Sequence, residues 1–329
     1  MKVVEGLAAL GPPPRNCVLT IGNFDGVHLA HRGLLALAKT VAAECGGPVI
    51  VLSFEPHPLT IVAPQRAPLP LTPLPEKLRR LEESGTDITV VATSEPSLLG
   101  LEAEEFIEQV VRRRFCPAHI VEGPSFGFGR GRRGTPELLS RNAAEFNCTV
   151  HIVDPVSVEL NPGQSVLVSS SLIRRLILEG KVSEAAKCLG RNYALFGKVI
   201  SGEGRGRTLG FPTANVDAML QVVPADGVYA GRAVLGDDCY ACAISIGNTP
   251  TFGVGARRIE AFLLNFDGNI YGAPMALEFV GFLRGQQTFA SPHALIQQLE
   301  RDVEAAHDLV AQSGSSDQKE ARNRPKTAG

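Results

Sequence analysis

The chain has 329 residues. At about 100–200 residues per domain, that length favours two domains over one. Hydrophobic residues make up 44% and charged residues 20%, enough apolar content to bury sizeable cores. Lys plus Arg (32) nearly balance Asp plus Glu (34), and tryptophan is absent, which argues against a chain-wide nucleic-acid binder and against a base-stacking platform.

No apolar run approaches the roughly 18 residues of a membrane span, and no secretory segment opens the sequence. The expectation is a cytoplasmic protein with reduced thiols and neither membrane nor nucleic acid as partner. Cys239 and Cys242 form one CxxC, but a zinc ribbon needs a second pair, so they read as core thiols of a strand.

From residue 16 to about residue 155, β-branched runs ("VLTIGNF", "PVIVLSF", "ITVVAT", "AHIVEG", "TVHIVDPV") alternate with helical patterns ("HRGLLALAKTVAAE", "PEKLRRLEESG", "EAEEFIEQVVRRR", "PELLSRNAAEF"). That alternation predicts a parallel α/β sheet covered on both faces, Rossmann-like in organisation. "SSSLIRRLILEGKVSEAAKCLGR" follows as two short helices. Then "YALFGKVIS", "GVYAGRAVLG", "CYACAISIG", "RIEAFLLNF" and "ALEFVGFLR" read as strands without helices between them, a small antiparallel barrel closed by the helix "SPHALIQQLERDVEAAHDLV". Domains are expected over 1–186 and 187–310, with 311–329 a disordered polar tail.

"IGNFDGVHLAH" (Ile21 to His31) falls at the carboxyl end of the first of these strands, where open α/β sheets bind ligands. His28 and His31 share one face at a helix N-terminus, which attracts anions. Gly22 and Gly26 let backbone approach a ligand closely. Two imidazoles there would neutralise charge developing on a phosphate, an effect of ~3 kcal/mol per donor. A zinc site and ordinary helix-start polarity are the competing readings; HExxH is absent and no third ligand is marked.

"GRGRRG" (Gly129 to Gly134) is a literal GxGxxG with Asp154 downstream. "PSFGF" separates it from the strand, so a basic loop over a nucleotide is preferred to a dinucleotide fingerprint.

Farther on, Gly202, Gly204 and Gly206 form a loop whose N–H groups suit phosphates. Thr213 and Asn215 offer hard oxygen ligands suited to Mg²⁺. A glycine-rich hairpin with capping polar residues is the bland reading of the same stretch.

These residues resemble a known family. "GNFDGVHLAH" resembles the HxGH motif of nucleotidylyltransferases and, more narrowly, that of bacterial bifunctional riboflavin kinase/FAD synthetases. "SFEPHP", "LTPLPEKLRRLEESGTD", "VEGPSFGFGRGRRGT" and "VSSSLIRRLI" agree in order, as do "GRGRTLGFPTAN", "GVYAGRAV", "ISIGNTPTFG", "RIEAFLLNFDGNIYG" and "LEFVGFLRGQQTF".

The resemblance implies an adenylyltransferase domain that joins ATP and FMN into FAD, and a barrel that phosphorylates riboflavin to FMN, both with Mg²⁺. It implies nucleotide contacts from Gly22, Asn23, Phe24, Gly26, Ser170, Ser171 and Arg174, with His28 and His31 catalytic. It also implies Mg·ATP at Thr213 and Asn215, Glu260 as base for the ribityl hydroxyl, and flavin contacts from Ser125 and Arg284. A monomer or weak oligomer is expected.

Four residues depart from the family pattern. Ala30 replaces the glycine of HxGH, Ser125 an Asp or Asn, Ser171 a threonine and Gln286 a frequent Glu. Ala30 and Ser125 motivate a second reading in which only the kinase is active. A third is a non-catalytic flavin-binding regulator.

Overall fold

Alternate residues of the buried N-terminal strands feed two separate apolar cores. Leu19, Ile50, Leu52 and Ile120 pack into one; Val18, Val49, Val51 and Val121 pack into the other. Strands buried on both faces are the signature of a parallel sheet covered by helices on each side. The computed structural model describes residues 1–202, 206, 210–247 and 257–322, with side chains through Ser313. Gly204 lies outside the described residues.

The first compact unit, Met1–Ser170, holds a six-stranded sheet in the order β1-β4-β3-β2-β5-β6, every pair parallel. The strands are β1 (Lys2–Glu5), β2 (Val18–Ile21), β3 (Val49–Glu55), β4 (Ile88–Thr93), β5 (His119–Glu122) and β6 (Thr149–Ile152). Helix α1 (Leu29–Cys45) follows β2 and contributes Leu34, Leu35 and Val41 to the second core. It ends at Gly46, whose left-handed backbone (φ 68°) donates its N–H to Ala42 O. A helix from Ala103 turns π-helical over Ile107–Phe115 and covers the other face with Phe106, Val110 and Phe115.

The order runs outward from β2 through β3 and β4, then restarts on the other side with β5. The switch point therefore lies between β2 and β5, the place where such sheets bind ligands. Two elements have no counterpart in the sequence expectation. β1 is a four-residue edge strand, and β7 (Ser157–Asn161) with β8 (Gln164–Leu167) is an antiparallel hairpin turning at Pro162-Gly163, with Gly163 at φ 80°.

The second compact unit, Ser171–Gly329, contains a closed antiparallel barrel in the order β10-β13-β12-β11-β14-β9. Its strands are β9 (Tyr193–Ile200), β10 (Ala214–Ala218), β11 (Gly227–Leu235), β12 (Asp238–Gly247), β13 (Arg258–Leu263) and β14 (Pro274–Arg284). Tyr229, Leu195, Ile244, Leu277 and Phe279 fill it. Five of these strands match the sequence expectation. The sixth, β10, was given no element in the sequence expectation; it pairs with both β9 and β13 and so closes the barrel.

Two boundaries differ from expectation. The helices Ser170–Leu178 and Val182–Leu189 group with the barrel beyond Ser170 because the second packs on β14 and β9, so the units part earlier than residue 186. The C-terminal helix runs Pro292–Arg322, past residue 310. Extending an existing helix costs far less than nucleating one, and "DQKEAR" consists mostly of good helix formers. Among the described residues, no helix is long and apolar enough to cross a membrane.

Candidate active sites on the two units

At the end of β2 the chain makes an unusual turn. Phe24 (φ 49°), Gly26 (φ 85°) and Val27 (φ 38°) all have left-handed backbones. For a β-branched valine this conformation costs on the order of 1–3 kcal/mol, and such strain persists only where the surroundings impose it. Here they do. The buried Asp25 carboxylate accepts the N–H groups of Leu71 (2.9 Å) and Thr72 (3.2 Å). Val27 N–H reaches Phe24 O at 3.1 Å, Ser53 Oγ donates to Asn23 O at 3.3 Å, and Ser170 Oγ donates to Asp25 O at 2.8 Å. Ser170 thus locks the turn. Ser171 and Arg174 lie farther along the same helix, in the second unit, with Arg174 on the helical face of Ser170.

His28 is the N-cap of α1: its Nδ1 accepts the His31 N–H at 3.4 Å. The remaining ring proton of a neutral His28 therefore sits on Nε2. The two imidazoles stack at 3.6 Å, and the Phe24 ring packs against His31 at 5.0 Å. Burial and the neighbouring His28 hold His31 well below the usual histidine pKa. At neutral pH the His31 ring is therefore an uncharged hydrogen-bonding group.

His31 Nδ1 is buried without a partner among the described residues, unlike most buried polar atoms, and so is fitted to a ligand. His57 Nδ1 accepts the Leu59 N–H at 3.1 Å, so its ring proton sits on Nε2 and is donated to the Asn23 side-chain amide, which faces it at 3.0 Å. Gly22 is pressed against the Phe24 ring, which a Cβ would meet at 3.3 Å.

Glu122 ends β5 at the switch point and was missed by sequence reasoning. β2 and β5 pair only at Val18–His119 and Leu19–Ile120, and beyond that the Glu122 carboxylate takes the Ile21 N–H at 2.6 Å. Burial pushes its carboxyl well above the ordinary carboxylate range, against the pull of that N–H. A carboxyl whose pKa rises on folding holds its proton more tightly in the native chain, so stability falls as pH climbs from the unfolded toward the folded pKa. Glu122→Gln keeps an acceptor for Ile21 and removes the titration. Thermal melts should show the variant more stable than the parent near neutral pH, by about 1.4 kcal/mol per unit of displacement, with no gain at pH ~4.

The loop after β5 corrects any dinucleotide reading of GRGRRG. Phe128 and Gly134 pair across it as a hairpin, and helix Pro136–Ala143 starts only afterwards, capped by Thr135 Oγ1 on Leu138 N–H. The glycines therefore do not lead from strand into helix N-terminus. Ser125 is exposed in this loop, its carbonyl accepting from Arg132 Nη2 at 3.1 Å.

In the barrel, the ladder brings together residues 45 apart in sequence: Asn215 of β10 is paired directly with Glu260 of β13. Their strand neighbours Ala214, Val216, Ile259 and Ala261 are buried inside. Asn215 and Glu260 therefore point outward side by side, with Cβ atoms about 4.5–5.5 Å apart. Thr213, two residues before Asn215, precedes the strand.

Gly202 runs so close over Asn215 that a Cβ there would lie 2.0 Å from its Nδ2. Gly206 is equally close to Phe211, whose carbonyl a Cβ would meet at 2.2 Å, and 3.5 Å from Thr213 Oγ1. These two glycines are demanded by close approach over the PTAN segment. Two neutral oxygens beneath them fit Mg²⁺, which takes few protein ligands and keeps phosphate and water.

Arg284 has a structural task. Its Nε and Nη2 fork the Asp302 carboxylate of the C-terminal helix at 2.7–3.2 Å, and Nη1 donates to Gly285 O. The two side chains are only 14% and 5% exposed. Asp302→Ala leaves a largely buried guanidinium without its counter-charge. The expected loss is ~3–5 kcal/mol, readable as a lower unfolding midpoint of the full chain.

Residues 12–170 match the family model described as FAD synthetase, and residues 189–310 match that described as riboflavin kinase. The bifunctional riboflavin kinase/FMN adenylyltransferase of Escherichia coli (strain K12) is 35% identical over 94% of this chain and 98% of its own. The Bacillus subtilis (strain 168) protein of the same description is 34% identical over 88% of this chain and 91% of its own. A crystal structure titled as a macrolide-efflux protein from Streptococcus pneumoniae superposes with a TM-score of 0.82 at 29% identity, covering 93% of this chain and 99% of that one.

Proposed function

We propose residue roles from the premise that this chain belongs to the family of bifunctional riboflavin kinase/FMN adenylyltransferases. It phosphorylates riboflavin with ATP to give FMN, and it transfers the adenylyl group of a second ATP to FMN, giving FAD and pyrophosphate.

In the barrel, Glu260 accepts the proton of the terminal ribityl hydroxyl as its oxygen attacks the γ-phosphorus. A carboxylate suffices, because phosphoryl transfer depends on positioning and charge stabilisation more than on a strong base. Thr213 and Asn215 hold Mg²⁺, which when bound shields the phosphate charge. Gly202 and Gly206 bring backbone over the phosphates; a nucleotide contact by Gly204 rests on the family motif. The observation that carries this reading is the direct pairing of Asn215 with Glu260. It is tested by Thr213→Ala and Asn215→Ala, which should raise the Mg²⁺ concentration needed for FMN formation.

In the α/β unit, a phosphate oxygen of FMN attacks the α-phosphorus of ATP and pyrophosphate leaves. His28 donates from Nε2 to the phosphates, His31 offers its Nδ1 to the same ligand, and a nucleotide contact by Asn23 rests on the family motif. Gly22, Phe24 and Gly26 shape the strained turn that aims the helix N-terminus. Ser170 holds that turn; for Ser171 and Arg174 a phosphate role rests on the family motif. Flavin contacts by Ser125 and Arg284 rest on it too, and the Asp302 fork leaves Arg284 only part of its donor set for them. A cytoplasmic location and a monomer or weak oligomer complete the reading.

A further inference from the structure

The polar row on the outside of the barrel extends one strand beyond the groups used so far. Glu260 is paired with Asn215 on one side and with Ser245 of β12 on the other. Ile244 and Ile246, which flank Ser245, are buried in the barrel. Ser245, Glu260 and Asn215 therefore share the outer face, one strand spacing of about 4.8 Å apart.

Ser245 is not left to rotate freely. Gln286 Nε2 donates to Ser245 Oγ at 3.3 Å and to Ile246 O at 2.8 Å. The Gln286 amide sits against Gly247, where a Cβ would approach it to 2.9 Å. Both amide N–H groups are committed by these bonds. Ser245, accepting one of them, keeps its own O–H as a donor, and Gln286 keeps Oε1 as an acceptor.

This inference rests on the kinase reading above. With Mg·ATP at Thr213 and Asn215 and the base at Glu260, the attacking oxygen lies on the side of the γ-phosphorus opposite the leaving group, in line with the bond that breaks. The rest of the acceptor must then extend away from ATP, along the row toward Ser245 and Gln286. A donor and an acceptor held side by side are the complement of a polyol hydroxyl. We propose that Ser245, oriented by Gln286, binds the ribityl hydroxyl neighbouring the one phosphorylated, and so sets the preference for a polyol-bearing flavin.

Gln286 matters to this through the direction of its hydrogen bond. An ionised glutamate there can only accept; Ser245 would turn its O–H toward the carboxylate and withdraw it from substrate.

The test compares riboflavin with an analogue carrying a hydroxypentyl chain, which keeps the terminal hydroxyl and lacks the other three. The readout is the ratio of kcat/KM for riboflavin over the analogue, measured as flavin phosphate formed by the full chain with MgATP. Ser245→Ala and Gln286→Glu should each lower the ratio about three- to tenfold, the worth of one neutral hydrogen bond, and Ser245→Thr should restore it. An unaltered ratio, or an equal fall with both substrates, overturns the proposal. Glu260→Gln is measured beside them: if it turns over riboflavin like the parent, the base assignment itself fails, and the subsite falls with it.

Discussion

Glu260→Gln stops the conversion of riboflavin to FMN, yet FMN supplied directly is still turned into FAD. The expected fall in kcat for the first step is ~10²–10⁴, the usual contribution of a placed general base. Glutamine has nearly the same shape and keeps the ladder pairing with Asn215 and Ser245. It lacks the basic oxygen pair, so the loss reports proton acceptance and not disrupted packing. The KM for riboflavin should change far less than kcat, since the proton moves only in the transition state. Continued FAD formation from FMN serves as the internal control, because Glu260 lies in the second compact unit and the strained turn in the first. Flavin chromatography of both reactions reads the result in one experiment.

His28→Ala gives the opposite pattern: riboflavin is consumed and FMN accumulates, while FAD formation falls by ~10²–10³, the cost of one pre-placed donor to a charged transition state. Alanine also removes the cap on His31 N–H, worth about 1 kcal/mol of helix stability. His28→Asn separates the two effects. An asparagine oxygen can still cap the helix, so stability returns, but the Nε2–H donor is absent, so FAD synthesis does not. Because His31 is held neutral at physiological pH, FAD formation should show no inflection from it near the ordinary histidine pKa.

The periodicity of the sequence carried the parallel sheet and most of the barrel, because buried strands and amphipathic helices leave strong patterns. β10 escaped notice because its inward Ala214 and Val216 alternate with Asn215 and Asp217, residues that usually signal turns. β1 was too short to rise above background, and the β7–β8 hairpin announced itself only through Pro162-Gly163.

The sites divide in the same way. The histidine pair was visible as spacing on a helix start. The pairing of Glu260 with Asn215 was not, because strand register joins residues with no local relation. Glu122 also looked like an ordinary polar strand end. Only the divergence of β2 from β5 shows why a carboxylate stands there, on the N–H that the ladder leaves unpaired. The neutrality of His31 depended on burial and stacking, which spacing does not carry. The fork of the Arg284 guanidinium on Asp302 was not legible either, because it joins the barrel to a helix 18 residues farther on with no local signal.

Ala30 lies within the first turn of α1 and Ser125 in the exposed loop after β5, so neither disturbs the hydrogen bonds that fix the turn. Both active sites are therefore expected to be competent despite these departures. The most direct measurement follows the flavins over time by chromatography in a mixture of the full chain, riboflavin, ATP and Mg²⁺. FMN that rises and then gives way to FAD is the predicted result. FMN that accumulates without FAD contradicts the account of the α/β unit and leaves the kinase as the chain's sole activity.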